Sequence, residues 1–123
     1  MRGDAEIAEA VRDAATERTP LRIVGRGTWL GAGSPVAATA TLALAEDSGI
    51  VAYVPDDLTV TARAGTTLRE IGDTLATHDQ WIALDPEGAP DVTTGATVAT
   101  CSFGPSAAFF GTARDQVLGM TVV

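Results

Sequence analysis

Four glycines fall within nine residues at Gly25-Arg26-Gly27-Thr28-Trp29-Leu30-Gly31-Ala32-Gly33, directly after the apolar run Leu21-Arg22-Ile23-Val24. No helix or regular strand accommodates that density of glycine, so the segment is a loop leaving a short strand. Small residues there let backbone N–H groups approach a phosphate closely, and such a concavity binds anions without net positive charge. Local dipoles matter here, because 16 acidic residues against 8 basic ones leave a net charge of -8. Any phosphate at this loop is held by those dipoles together with Arg26. The dinucleotide fingerprint G-x-G-x-x-G does not fit, since Gly31 comes one residue late, and the Gly-Lys-Ser/Thr of a phosphate-binding P-loop is missing.

The chain of 123 residues has the size of one domain. The acidic balance argues against nucleic acid, whose binding needs clustered cations, and against an anionic membrane surface. No run is long and apolar enough to span a bilayer, and Asp4, Glu6 and Glu9 occupy the place where a signal peptide carries positive charge. A soluble, cytoplasmic chain is expected. Cys101 is the single cysteine, which excludes an internal disulfide and a multi-cysteine metal site; in its small-residue surroundings it reads as a buried, inert thiol.

The order of elements predicts an α+β or α/β domain, not a bundle or a sandwich. Residues 4 to 18 form an amphipathic helix with Asp4 as N-cap, Arg18 in the last turn and Ile7, Val11 and Ala15 on its packed face. Thr19-Pro20 ends it. Strands are expected at Leu21 to Val24, Thr39 to Leu44, Ile50 to Val54 and Thr59 to Ala64, the last two as a hairpin across Pro55-Asp56-Asp57. Thr67 and Glu70 have capping-box spacing for a second helix that buries Leu68, Ile71 and Leu75. Further strands are expected at Trp81 to Leu84 and Gln116 to Val123, with one short helix near Ala96 to Ser102.

Unaided residue chemistry assigns no catalytic or metal site. His78 is the sole histidine and reads as a partner for a helix C-terminus, Asp56-Asp57 as a turn, and Arg114-Asp115 as a local ion pair.

The combination from residue 50 onward is more specific than its parts. Ile50-Val51-Ala52-Tyr53-Val54-Pro55-Asp56-Asp57-Leu58-Thr59-Val60-Thr61-Ala62-Arg63-Ala64-Gly65, then Thr67-Leu68-Arg69-Glu70-Ile71, then Asp85-Pro86 with Thr93-Thr94-Gly95-Ala96-Thr97-Val98-Ala99-Thr100, and finally Gly104-Pro105 with Phe110-Gly111-Thr112-Ala113-Arg114-Asp115-Gln116-Val117-Leu118-Gly119, resemble the FAD-binding domain of the vanillyl-alcohol-oxidase (PCMH) type. In particular they resemble the FAD-binding subunit of bacterial glycolate oxidase.

The resemblance implies a two-subdomain α+β fold, of which residues 1–123 form the first subdomain and the start of the second. Two segments are implied as the cofactor site: the loop at 25–33 and a second segment at 86–115. From the loop it implicates Gly25, Arg26, Gly27, Thr28 and Trp29. Pro55, Ala64 and Gly65 follow, and then Pro86, Thr94, Gly95, Ala96, Thr97 and Ala99. The other side of the cofactor is assigned to Gly104, Gly111, Arg114 and Asp115. N–H groups of both segments would face the pyrophosphate of FAD. Thr28 stands where covalently flavinylated relatives place a histidine, so FAD is expected to be noncovalent. Ala96 replaces the second glycine of a pair, and Ser106 stands where an arginine is frequent.

On this reading the chain is a truncated FAD-binding module of a flavoprotein oxidising small 2-hydroxy acids, inactive in isolation, with a second copy or a partner subunit completing the domain. The competing expectation is a non-catalytic assembly domain that keeps the fold without flavin.

Overall fold

The computed structural model describes residues 3–123. Helix α1 spans Asp4–Thr16, strand β1 Leu21–Val24, β2 Ala40–Ala43, β3 Ile50–Val54 and β4 Thr59–Ala62. Helix α2 spans Leu68–Ala76, and three short helices follow: α3 Thr94–Thr100, α4 Ala107–Phe110 and α5 Ala113–Gln116.

The strands form two separate pairs. β1 and β2 run parallel, with Leu21 opposite Ala40 and Val24 opposite Ala43. A parallel return needs a long crossover, usually a helix; here the glycine-rich segment supplies it as irregular chain. β3 and β4 form the expected antiparallel hairpin, with Val54 opposite Thr59 and an irregularity at Val51. Its tip is a 3-10 turn at Pro55–Asp57 that closes with Leu58 in the left-handed region at φ 55°.

The core is small, and threonine takes an unusual share of it beside the aliphatic residues. Leu68, Ile71 and Leu75 of α2 are buried as their spacing predicts, with Leu42, Val92 and Ala113 beside them. Among them lie Thr66, Thr67, Thr93 and Thr97. Each of these hydroxyls has a partner, which is the condition for burying it. Thr66 Oγ1 pairs with the Gly49 backbone, Thr67 and Thr93 cap helices, and Thr97 Oγ1 donates to the Thr93 carbonyl at 3.0 Å.

Several expectations are corrected. Gly3, not Asp4, is the N-cap of α1, and the Glu6 carboxylate accepts the Gly3 N–H at 3.2 Å. Asp4 instead pairs with Arg63 at 2.7 Å, and the same guanidinium lies 3.2 Å from the buried Asp47. The expected stripe on α1 is only half-buried at Ile7 and Val11, and Ala15 is exposed. Arg18 lies beyond the helix at φ 54°, so it is a reversal residue and not a last-turn cation.

Trp81–Leu84 forms no strand, and neither does Gln116–Val123: Gln116 closes α5 and the residues after it are irregular. Both segments have strand-like composition, but among the described residues no ladder partner lies beside either. Trp81–Leu84 is tied down by side chains instead, through Gln116 Nε2 donating to the Ala83 carbonyl at 2.9 Å. The short helix expected from Ala96 begins two residues earlier, because Thr93 caps it. Cys101 is exposed and takes the left-handed cap of α3 at φ 48°. Arg114 and Asp115 form no ion pair; the Asp115 carboxylate accepts the Thr112 N–H at 2.8 Å and its hydroxyl at 3.1 Å.

Candidate functional site

The glycine loop leaves β1 and closes against α3. A Cβ on Gly25 would collide with the Thr93 hydroxyl and stand 3.2 Å from its methyl group, so glycine is what lets the loop touch the α3 cap. Gly27 follows at φ 72°, in the region that favours glycine. Around this contact lies a cavity of about 140 Å³, lined on the loop side by Gly25 to Leu30 and on the far side by Glu87, Val92, Ala96, Thr100 and Ser102.

The donors bordering the cavity come from the loop. Among the described residues, the N–H groups of Arg26, Gly27, Thr28 and Trp29 donate to no backbone carbonyl. The helix starts nearby have none to spare. In α3, Thr94 N–H donates to the Thr66 carbonyl and Gly95 N–H to that of Ala64, both at 2.8 Å. Ala96 N–H goes to Thr93 Oγ1 at 3.3 Å and Thr97 N–H to the Thr93 carbonyl at 3.0 Å. In α2, the Leu68 and Arg69 N–H groups donate to Val92 and Pro90, and that of Glu70 to Thr67 Oγ1. Of the two segments expected to offer N–H groups to an anion, the glycine loop therefore leaves them unspent, whereas the first turn of α3 has already committed its own.

Charge around the loop is mixed. Arg26 makes no ion pair among the described residues, while Arg69 is held by Asp91 at 2.9 Å. The Arg69 guanidinium, hydrogen-bonded to the Asp91 carboxyl, lowers its pKa, and Arg26 adds to the effect. The Thr67 N–H and hydroxyl hold Glu70 below the usual carboxylate range, and Arg26 again contributes. Arg26 is thus the cation at the cavity that is not already engaged by a neighbouring carboxylate at contact distance.

The implicated residues divide by position. Gly25, Arg26, Gly27, Thr28, Trp29 and Ala96 line the cavity together. Ala64, Gly65, Thr94, Gly95 and Thr97 stand behind it as support. A Cβ on Gly65 would enter the Leu44 carbonyl, and one on Gly95 would come within 2.9 Å of Ala64, so both glycines allow backbone to touch backbone. Pro86 is buried and Ala99 exposed on α3.

The others lie outside the cavity lining. Pro55 is tied to the chain that follows α2, its carbonyl accepting from Gln80 Nε2 at 2.9 Å. Gly104 packs on Asp85, whose carboxylate accepts the Ser106 N–H at 3.0 Å and lies below the usual range because of it. Gly111, at φ 77°, leaves the room that Asp115 needs to cap α5. Arg114 is exposed beside it. Glu87, Thr100 and Ser102 line the cavity from within the implied 86–115 segment without having been singled out there, and neither was Thr93, which meets Gly25. The cap position three residues before Ala96 is the one sequence signal that points to Thr93.

Pockets that bury even a drug-sized ligand span roughly 300–1,000 Å³, so this cavity fits one part of a dinucleotide. N–H groups and an arginine that are unpaired among the described residues fit the anionic part, a pyrophosphate.

Residues 2–123 match the family described as FAD binding domain. Glycolate oxidase subunit GlcE of Escherichia coli (strain K12) is 35% identical over 118 residues, an alignment covering 95% of this chain and 33% of that protein. The chain therefore spans about a third of the length of this curated relative, and its α+β architecture is consistent with part of a PCMH-type FAD-binding domain. With nearly its whole length inside the family match and its loop geometry suited to a pyrophosphate, this chain belongs to the FAD binding domain family, related to the glycolate oxidase family.

Proposed function

We propose that this chain binds FAD noncovalently and serves as the cofactor-holding part of a flavoprotein that oxidises small 2-hydroxy acids. The observation carrying the reading is that Arg26 to Trp29 line a cavity against α3 while their N–H groups, among the described residues, have no backbone partner. Those groups hold the pyrophosphate, and Arg26 adds its charge. Gly25 keeps the loop in contact with the Thr93 cap of α3, and Gly95 lets α3 pack on Ala64, so the N–H groups are set before the cofactor arrives. Bound FAD supplies the redox chemistry by accepting a hydride, while the protein positions it. No residue here is assigned as the base that takes the substrate proton, and in this proposal turnover belongs to a longer assembly.

The test is the absorbance of purified protein soaked in FAD and desalted, beside a Gly27→Val variant. Valine is strongly disfavoured at φ 72° and would re-aim the loop N–H groups. Wild type should retain a resolved flavin spectrum and Gly27→Val should lose it while its circular dichroism is unchanged. Equal retention by both proteins refutes the loop assignment.

A second reading, an assembly domain without flavin, is favoured by one observation. Phe103, Phe109, Leu118, Met120 and Val122 are all more than half exposed. Apolar surface of that kind marks interfaces, and a folded protein that stays colourless in FAD but self-associates would give this reading the lead.

A further inference from the structure

The cavity at the glycine loop has residues of opposite charge on its two walls. On the loop side are Arg26 and the N–H groups from Arg26 to Trp29; on the far side the lining holds one acidic residue, Glu87. Glu87 is set in place by its backbone. Its N–H donates to Ser102 Oγ at 3.3 Å, and the next residue, Gly88, lies beside Thr28, where a Cβ would come to 3.4 Å from the Thr28 hydroxyl. Among the described residues the Glu87 carboxylate makes no hydrogen bond and no ion pair, so it does not neutralise Arg26 by contact. The other carboxylates that feel the Arg26 charge are engaged elsewhere: Glu70 by Thr67 and Asp91 by Arg69. Glu87 therefore brings to the cavity a carboxylate that no protein group has taken up.

N–H groups and a guanidinium by themselves favour whichever phosphate carries the most negative charge. A diesterified pyrophosphate, as in FAD, has one ionised oxygen on each phosphorus, whereas a terminal phosphate ionises a second time and carries about −1.5 to −2 near pH 7. Arg26 and the loop alone would thus rank ADP and inorganic pyrophosphate above FAD. A carboxylate on the opposite wall acts in the other sense, because its repulsion grows with each charge on the ligand. We propose that Glu87 is a specificity-determining residue of this cavity: its carboxylate offsets the Arg26 charge and disfavours terminal phosphates, leaving the diesterified pyrophosphate of a dinucleotide to be chosen by the placement of the loop N–H groups. This rests on the FAD reading above and adds to it a residue that rejects competing anions, which is the repulsive half of specificity. One unit of ligand charge roughly 6–8 Å from a carboxylate, in surroundings between a protein surface and bulk water, changes affinity about three- to tenfold.

The experiment compares wild type, Glu87→Gln and Glu87→Asp in equilibrium dialysis against FAD, ADP and inorganic pyrophosphate, at low and at high salt. Circular dichroism and urea midpoints check that each variant is folded. Glutamine keeps the shape and removes the charge, so Glu87→Gln should strengthen ADP and pyrophosphate roughly three- to tenfold more than FAD. Aspartate keeps the charge, so Glu87→Asp should retain most of the wild-type ranking. Salt of about 1 M, where charges are screened within about 3 Å, should bring the rankings of wild type and Glu87→Gln together. A Glu87 that only supports the local backbone would move all three ligands by one common factor. That result, or affinities that Glu87→Gln leaves unchanged, overturns the proposal while the FAD reading stands. If wild type binds ADP and pyrophosphate but not FAD, or binds none of the three, the FAD reading itself fails and takes this proposal with it.

Discussion

Gly25 and Thr93 form the contact on which the loop and α3 meet, and a double-mutant cycle measures it. In Gly25→Ala the new methyl enters the Thr93 hydroxyl and comes to 3.2 Å from Cγ2 and 3.3 Å from Cβ. Thr93 cannot turn away easily. It is 1% exposed, β-branched, and its hydroxyl caps α3 through the Ala96 N–H. Overpacking of this kind costs about 1–3 kcal/mol, against which the stiffer unfolded chain of alanine returns about 0.4–1 kcal/mol. Gly25→Ala is therefore expected to lose about 1–2 kcal/mol.

Thr93→Ala removes the cap and one buried methyl, each worth about 1 kcal/mol. In the Thr93→Ala background the hydroxyl and Cγ2 are gone, and the alanine at 25 fills part of the vacated space. The double variant should then be no less stable than Thr93→Ala alone, a coupling of about 1–2 kcal/mol. Urea unfolding reads it, because with a slope of about 1–3 kcal/mol/M each kcal/mol moves the midpoint by roughly 0.3–1 M. If the two single losses add to within about 0.5 kcal/mol, the contact does not hold the loop and the account of Gly25 is wrong.

Two further outcomes follow from local geometry. Glu70 is held ionised below its usual range by the Thr67 N–H and hydroxyl, so its folded pKa lies below its unfolded one. Its stabilisation is complete above the unfolded value of about 4.3 and is lost as pH falls through the depressed folded value. Urea midpoints taken from pH 7 to pH 3 should fall less steeply in Glu70→Gln than in wild type below about pH 4.3; parallel curves would refute the assignment. Leu58 holds a left-handed conformation with 78% of its surface exposed, so Leu58→Asn should stabilise the hairpin by roughly 0.5–1 kcal/mol. A lower urea midpoint for that variant would show that the leucine side chain contributes packing there.

Much of the fold was legible in the sequence, and for local reasons. The hairpin of β3 and β4 follows from two alternating runs around Pro55-Asp56-Asp57, and α2 follows from the Thr67–Glu70 cap and the spacing of Leu68, Ile71 and Leu75. In each case the interactions that form the element lie within a few residues of one another. The same holds for the glycine loop, whose irregularity is a property of its own backbone.

The sequence by itself thus determined the short-range elements, the mixture of helix and strand and the place of the loop. Tertiary structure alone decided which apolar segments found a strand partner, so Trp81–Leu84 and Gln116–Val123 have strand composition without strand structure. It alone set Asp4 against Arg63, 59 residues further along the chain, because a short polar side chain chooses among several neighbours at similar cost. It also decided which backbone donors stay unspent. The Thr94 and Gly95 N–H groups of α3 are consumed by the carbonyls of Thr66 and Ala64, which lie some thirty residues earlier, and among the described residues those of Arg26 to Trp29 donate to no backbone carbonyl. A donor is free only when no acceptor is brought within about 3 Å of it, and that depends on where distant backbone comes to rest.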